Sequence, residues 1–183
     1  MGLSQRQKGA AAEREVATKL QEWWRHLEPT CRFVRTPGSG GWGAGAVVRK
    51  EFKTSGDLMT TALHFPFCIE VKRREGWSDA VLFETRLVNL RGERLQSESP
   101  VWGWWVQAQA AAREQGAVPL LAFRRSHEPW RVILPIAWWR GKGFANWKLS
   151  HDWKMRWPSS RGERPICHYL DQLTSIHPKC MAV

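Results

Sequence analysis

Apolar side chains return at helical intervals near the start of the chain. Val16, Leu20, Trp23, Trp24 and Leu27 fall on one arc, so residues 4–27 are predicted to form an amphipathic helix that Pro29 ends. At about 100° per residue Glu13 lies within roughly 20° of Leu20 and Trp24, and its carboxylate points where the helix packs. An unpaired buried charge is costly, so a cation or a metal ion should sit opposite it, and Arg35 or Lys72 could serve as a purely structural partner.

Downstream the period shortens. Residues 32–35 read as a strand, and the glycine-rich run 37–45 reads as a loop. The basic stretch 47–54 suits a hairpin arm. Asp57 opens a second strand over 58–63, and residues 65–71 form a third, with Pro66 near its start where a missing donor is tolerated. In that third strand Phe67, Ile69 and Val71 face one side and Cys68, Glu70 and Lys72 the other. Glu70 and Lys72 therefore project together, about 6.6 Å apart along the strand. Residues 75–97 have no clear period. Ser99 and Pro100 then mark a helix start and Gly116 its C-terminal cap, which predicts a helix over 100–115. Residues 118–123 and 130–134 are apolar strands joined by a polar turn. The order helix, three strands, helix, two strands indicates an α/β fold: a mixed sheet with helices packed on it, in one domain.

Past Pro135 the pattern changes again. Trp138, Trp139, Trp147, Trp153 and Trp157 alternate with Arg140, Lys142, Lys148, Lys154 and Arg156, which marks residues 136–183 as a Trp-rich basic C-terminal extension packed on the domain. Packing is favoured over base stacking for these indoles, although their basic neighbours suit either.

Charge then narrows the partner. The formal net charge is +11, a balance that favours polyanions because each phosphate contact releases counterions. Nucleic acid is favoured over an anionic membrane, since no stretch is apolar enough to span a bilayer and the basic residues are scattered. The first residues lack the apolar core of a secretory signal, which predicts a cytoplasmic protein. Cys31, Cys68, Cys167 and Cys180 are too few and too irregular for a disulfide framework and are expected as thiols.

The candidate chemistry lies in Asp57, Glu70 and Lys72. If the strand opened by Asp57 pairs antiparallel with the strand carrying Glu70, the two carboxylates meet, and they repel unless a cation joins them. Hard oxygen ligands suit magnesium or manganese, which polarises a phosphoryl oxygen and acidifies bound water. Lys72 on the same face can orient that water and offset charge on phosphorus, and Glu13 can add a further carboxylate.

Gly56-Asp57 followed by Glu70-Val71-Lys72 resembles the PD-(D/E)xK nuclease superfamily. The run Lys8-Gly9-Ala10-Ala11-Ala12-Glu13-Arg14-Glu15 further resembles the opening helix of archaeal-type Holliday junction resolvases. In that family it is followed by an arginine, a Gly-Ser loop, an aspartate and an E-V-K strand, here Arg35, Gly38-Ser39, Asp57 and Glu70-Val71-Lys72. The resemblance covers about three-quarters of the chain, through Leu134. It implies a restriction-endonuclease-like nuclease domain over residues 1–135, acting as a homodimer that binds four-way DNA junctions and nicks opposing strands with Mg2+, for which Mn2+ can substitute. Glu13, Asp57, Glu70 and Lys72 take catalytic positions, with Ser39 as a loop hydroxyl. Glu13, Asp57, Glu70 and Val71 take metal positions, and Lys8, Arg14, Arg35, Arg73 and Arg74 contact DNA. The chain departs from the pattern in three places. Ser39 is much further from Asp57 than is usual, which leaves the hydroxyl position open between Ser39 and Ser55; the stretch after Lys72 is expanded; and the tail from Pro135 has no counterpart. Two other readings stand beside this one: a nuclease of the same fold acting on linear ends, flaps or duplex, and a non-catalytic DNA-binding protein with incidental acidic residues.

Overall fold

Alternating apolar positions on the central strands are used on both faces, and this sets the layers. The structure, a computed structural model, describes residues 5–37, 53–75, 77, 87–88, 94–95, 100–144 and 165–182. Its helices are α1 (Gln5–Trp24), α2 (Pro100–Gln115), α3 (Ile136–Gly141) and α4 (Leu170–Thr174). Strands β4 (Phe67–Arg73), β7 (Val118–Arg124), β8 (Arg131–Pro135) and β9 (Pro165–Tyr169) form a mixed sheet in that spatial order. β4 runs parallel to β7, and β7, β8 and β9 are antiparallel in turn. A second sheet has the order β1 (Phe33–Arg35), β3 (Leu58–Thr60), β2 (Lys53–Ser55), all antiparallel, and a small hairpin pairs β5 (Leu87–Val88) with β6 (Arg94–Leu95).

One face of the main sheet, through Ile69, Val71, Leu120, Ala122, Val132 and Leu134, packs on the α1 side chains Val16, Leu20, Trp23 and Trp24. Its other face, through Leu121, Phe123, Ile133 and Cys167, packs on Val101, Trp102, Trp105 and Ala108 of α2. The helix expected over 4–27 and the helix expected over 100–115 thus cover opposite sides of one sheet. Gly116 ends α2 at a φ of +62°, a left-handed conformation in which glycine carries no steric penalty.

The segment after β8 is tied into this arrangement. β9 supplies the strand beside β8, and Leu170, Leu173, Ile176 and Met181 join the core under α1. The indole N–H of Trp23 donates to the carbonyl of Ile176 at 2.7 Å, and Lys19 pairs with Asp171. Midway along α1, Glu15 pairs with Arg124 and accepts the Trp130 indole N–H at 2.9 Å, while the Arg124 guanidinium lies over the Trp130 ring. Trp102, Trp105 and Trp139 are buried and Trp104 and Trp138 half-buried, in keeping with packing roles; Trp147, Trp153 and Trp157 lie outside the described residues.

The pairing expected for the Asp57 strand is corrected. β3 does not pair antiparallel with β4; both its neighbours lie in the smaller sheet. Ser55 opposes Leu58, so Gly56 and Asp57 are the two residues of a tight hairpin turn, and that turn meets β4 through a parallel bridge between Gly56 and Ile69. Asp57 reaches Glu70 by the tip of a hairpin rather than by strand pairing.

Leu170 is fully buried where the C-terminal segment meets α1. Leu170→Ala is expected to lower unfolding free energy by about 2–5 kcal/mol, the range for a leucine cavity, in urea titrations at unchanged m-value. A loss under about 1 kcal/mol would mean that the segment contributes little to the core.

Candidate active site

The Gly56–Asp57 turn is fixed against the main sheet by its backbone. Gly56 adopts a φ of +75°, and a Cβ there would stand 2.3 Å from the carbonyl oxygen of Ile69. Only glycine allows this approach. It lets the Asp57 amide donate to the Ile69 carbonyl at 2.8 Å, while the Val71 amide donates to Oδ2 of Asp57 at 2.8 Å. The carboxylate is therefore held on the edge of β4, flanking Glu70.

Glu70 is 5% exposed and Glu13 7%. Lys72 Nζ is ion-paired with Oε1 of Glu70, a buried oxygen that receives no hydrogen bond, so the ammonium's charge is what offsets it. Glu13 meets the side chain of Arg35, from β1, which supplies the opposing cation expected for a carboxylate on the packed arc of α1. Burial raises the Asp57 pKa to about 7, with Glu70 adding to the rise, the Val71 amide and Lys72 opposing it, and Glu13 raising it further. Beneath them Cys68 is buried, and desolvation together with Glu70 and Asp57 pushes its thiol up to about 12. Its Sγ would lie 3.2 Å from a Cβ at Gly56, so the thiol fills the floor under the turn.

The structure thus brings together Asp57, Glu70 and Lys72, with Glu13 and Arg35 beside them. Ser39 lies outside the described residues, and Ser55 ends β2 immediately before the turn. Arg73 donates to the Ser126 hydroxyl at 3.1 Å, Arg74 is exposed, and Lys8 stands near enough for its charge, like that of Arg73, to act on Glu75. Arg14 is exposed on α1. Val71, a metal candidate by sequence, carries the amide that holds Asp57. The stereochemical role of Gly56 was not anticipated, although a glycine directly before the acidic residue was its signal. The Glu15–Arg124–Trp130 anchor gave no sequence signal.

Two carboxylates side by side on the edge of a strand, with Glu70 raising the pKa of Asp57, fit a hard divalent cation. Among the described residues no three His, Cys, Asp or Glu side chains are grouped to hold an ion by themselves.

The Asp57 proton gives this site a pH signature. Its folded pKa, about 7, lies above its ordinary value of 3.8, so the folded state binds the proton more tightly. Its contribution to stability is complete below that ordinary value and is lost as pH rises through about 7. Asp57→Asn should thus gain stability relative to the unsubstituted chain between pH 4 and pH 7 without divalent ions, followed by urea midpoints at each pH. A difference that stays flat across that interval would mean that Asp57 ionises freely.

A family model described as "Phage putative PDDEXK endonuclease" matches residues 4–145. The match spans α1, the Gly56–Asp57 turn, β4, α2, β7 and β8. No curated protein matches the chain, and no solved structure does. The mixed sheet with helices on both faces is the restriction-endonuclease-like arrangement expected of such a family. With most of its length matched and an acidic pair and lysine gathered at the edge of β4, the chain belongs to this phage family of PD-(D/E)xK endonucleases.

Proposed function

We propose that the chain is a divalent-metal-dependent DNA endonuclease whose reacting groups are Asp57, Glu70 and Lys72, and that it nicks opposing strands of four-way DNA junctions as a homodimer. The observation that carries the hydrolytic part is the hairpin tip that sets Asp57 on the edge of β4, where Glu70 adds to the rise in its pKa and Lys72 opposes it. The junction and dimer parts rest on the resemblance of residues 8–15 and the elements after them to resolvases. A net charge of +11 supports a polyanionic substrate. Among the described residues no helix is long and apolar enough to cross a membrane.

In this reading Asp57, Glu70 and Val71 would hold magnesium, and Glu13, paired to Arg35, would complete the acidic surround. Magnesium, or manganese in its place, would supply Lewis acidity toward a phosphoryl oxygen and a water acidic enough to attack. Lys72, held by its ion pair with Glu70, orients that water and offsets charge developing on phosphorus. Lys8, Arg14, Arg73 and Arg74 grip phosphates, and Ser39 or Ser55 supplies a hydroxyl near the scissile phosphate. The long interval between Ser39 and Asp57 favours a second reading, a nuclease of the same fold acting on flaps, ends or duplex.

Four-way junctions and matched linear duplexes, incubated with protein and magnesium, separate these readings. Symmetric nicks in the junction alone are expected. Cutting of both substrates supports the second reading, and tight binding without cutting supports a non-catalytic DNA-binding protein. Asp57→Asn and Glu70→Gln should each reduce cleavage at least about a hundredfold while leaving junction affinity within a few-fold. Equal loss of cutting and of binding in both variants would remove these residues from the chemistry.

A further inference from the structure

The Gly56–Asp57 peptide is held from two directions, and one of them comes from a residue with no assigned part in the site. Thr36 follows β1, just before the glycine-rich run. Its hydroxyl donates to the carbonyl of Gly56 at 2.8 Å, and its amide donates to the carbonyl of Asp57 at 2.9 Å. From the opposite side, Ile69 accepts the Asp57 amide and Val71 donates to the Asp57 carboxylate. Both ends of the peptide that leads into Asp57 are thereby bonded, its carbonyl to Thr36 and its N–H to β4. The hydroxyl bond opposes rotation of that peptide, which is the motion that would swing Asp57 away from Glu70.

We propose that Thr36 is a positioning residue, whose hydroxyl fixes the Gly56–Asp57 peptide and through it the carboxylate of Asp57. The proposal rests on the reading of Asp57 as a metal-holding residue. Losing the hydroxyl leaves the amide bond to Asp57 in place, so the fold survives while the carboxylate's orientation loosens. Serine keeps the hydroxyl and valine keeps the shape, which separates hydrogen bonding from packing.

The test uses the full chain with Thr36→Val and Thr36→Ser. Binding of Mn2+ is followed by its electron paramagnetic signal, the magnesium dependence of DNA cutting is titrated, and exchange of the Asp57 amide is measured by NMR. For Thr36→Val the concentrations of Mn2+ and Mg2+ at half effect should rise about fivefold, the expected cost of one neutral hydrogen bond. Asp57 amide exchange should quicken by a similar factor, the melting temperature should shift by no more than about 5 °C, and Thr36→Ser should restore each value to within about twofold. Unchanged metal dependence in Thr36→Val overturns the proposal, whether or not amide exchange quickens. Equal impairment in Thr36→Ser overturns it too, because packing would then be the cause. Absence of both Mn2+ binding and cutting in the unsubstituted chain overturns instead the functional reading on which the proposal stands.

Discussion

Two acidic side chains sit close together on the edge of a strand, and water cannot fully screen them. Burial and Glu70 together hold the Asp57 carboxyl near a pKa of 7, although a backbone amide and a lysine act the other way. Keeping such a pair costs stability that a protein without use for it would avoid. The surrounding structure enforces the arrangement at the backbone level. Gly56 removes the Cβ that would block the approach, Ile69 takes the amide of Asp57, and Val71 takes its carboxylate. The charge conflict is therefore fixed by main-chain geometry rather than by flexible side chains.

The rest of the fold holds that edge in place. β4 is flanked by β7 on one side and the hairpin turn on the other, and its faces are covered by α1 and α2. α1 adds Glu13, which Arg35 neutralises from β1, so the small sheet and the first helix are tied beside the acidic pair. At the far end of the main sheet β9 and α4 close the core against α1. A rigid platform of this kind suits a reaction in which carboxylates hold a cation and a single amine manages developing charge, as proposed for Asp57, Glu70 and Lys72.

Much of this was readable in the residues because periodicity reports packing directly. The helical arc of Val16, Leu20 and Trp24 marked α1 and placed Glu13 inward, and the Ser99-Pro100 and Gly116 signals bracketed α2 almost to the residue. The alternation in residues 67–72 separated the α1-facing side chains from Glu70 and Lys72. What could not be read was strand partnership. Antiparallel pairing of the Asp57 strand with β4 was a reasonable expectation that ended in the right neighbours by the wrong route, since hydrogen-bonding partners far apart in sequence leave no local pattern. Thr36 was invisible for the same reason, as its two bonds span about twenty residues and involve only main-chain acceptors and one hydroxyl. β9 lies in the segment whose sequence reads as a Trp-rich basic extension, and its place beside β8, with Ile166 and Cys167 in the core on opposite faces, has no local sequence pattern to mark it.

The central claim is that Asp57 and Glu70 share one divalent cation. Crystals of the chain grown with Mn2+, with diffraction collected at a wavelength where manganese scatters anomalously, test it most directly. The account predicts one strong anomalous peak in contact with both carboxylates, absent from Asp57→Asn crystals. A peak bound to neither residue, or the two carboxylates bridged only by a shared proton in saturating Mn2+, would contradict it.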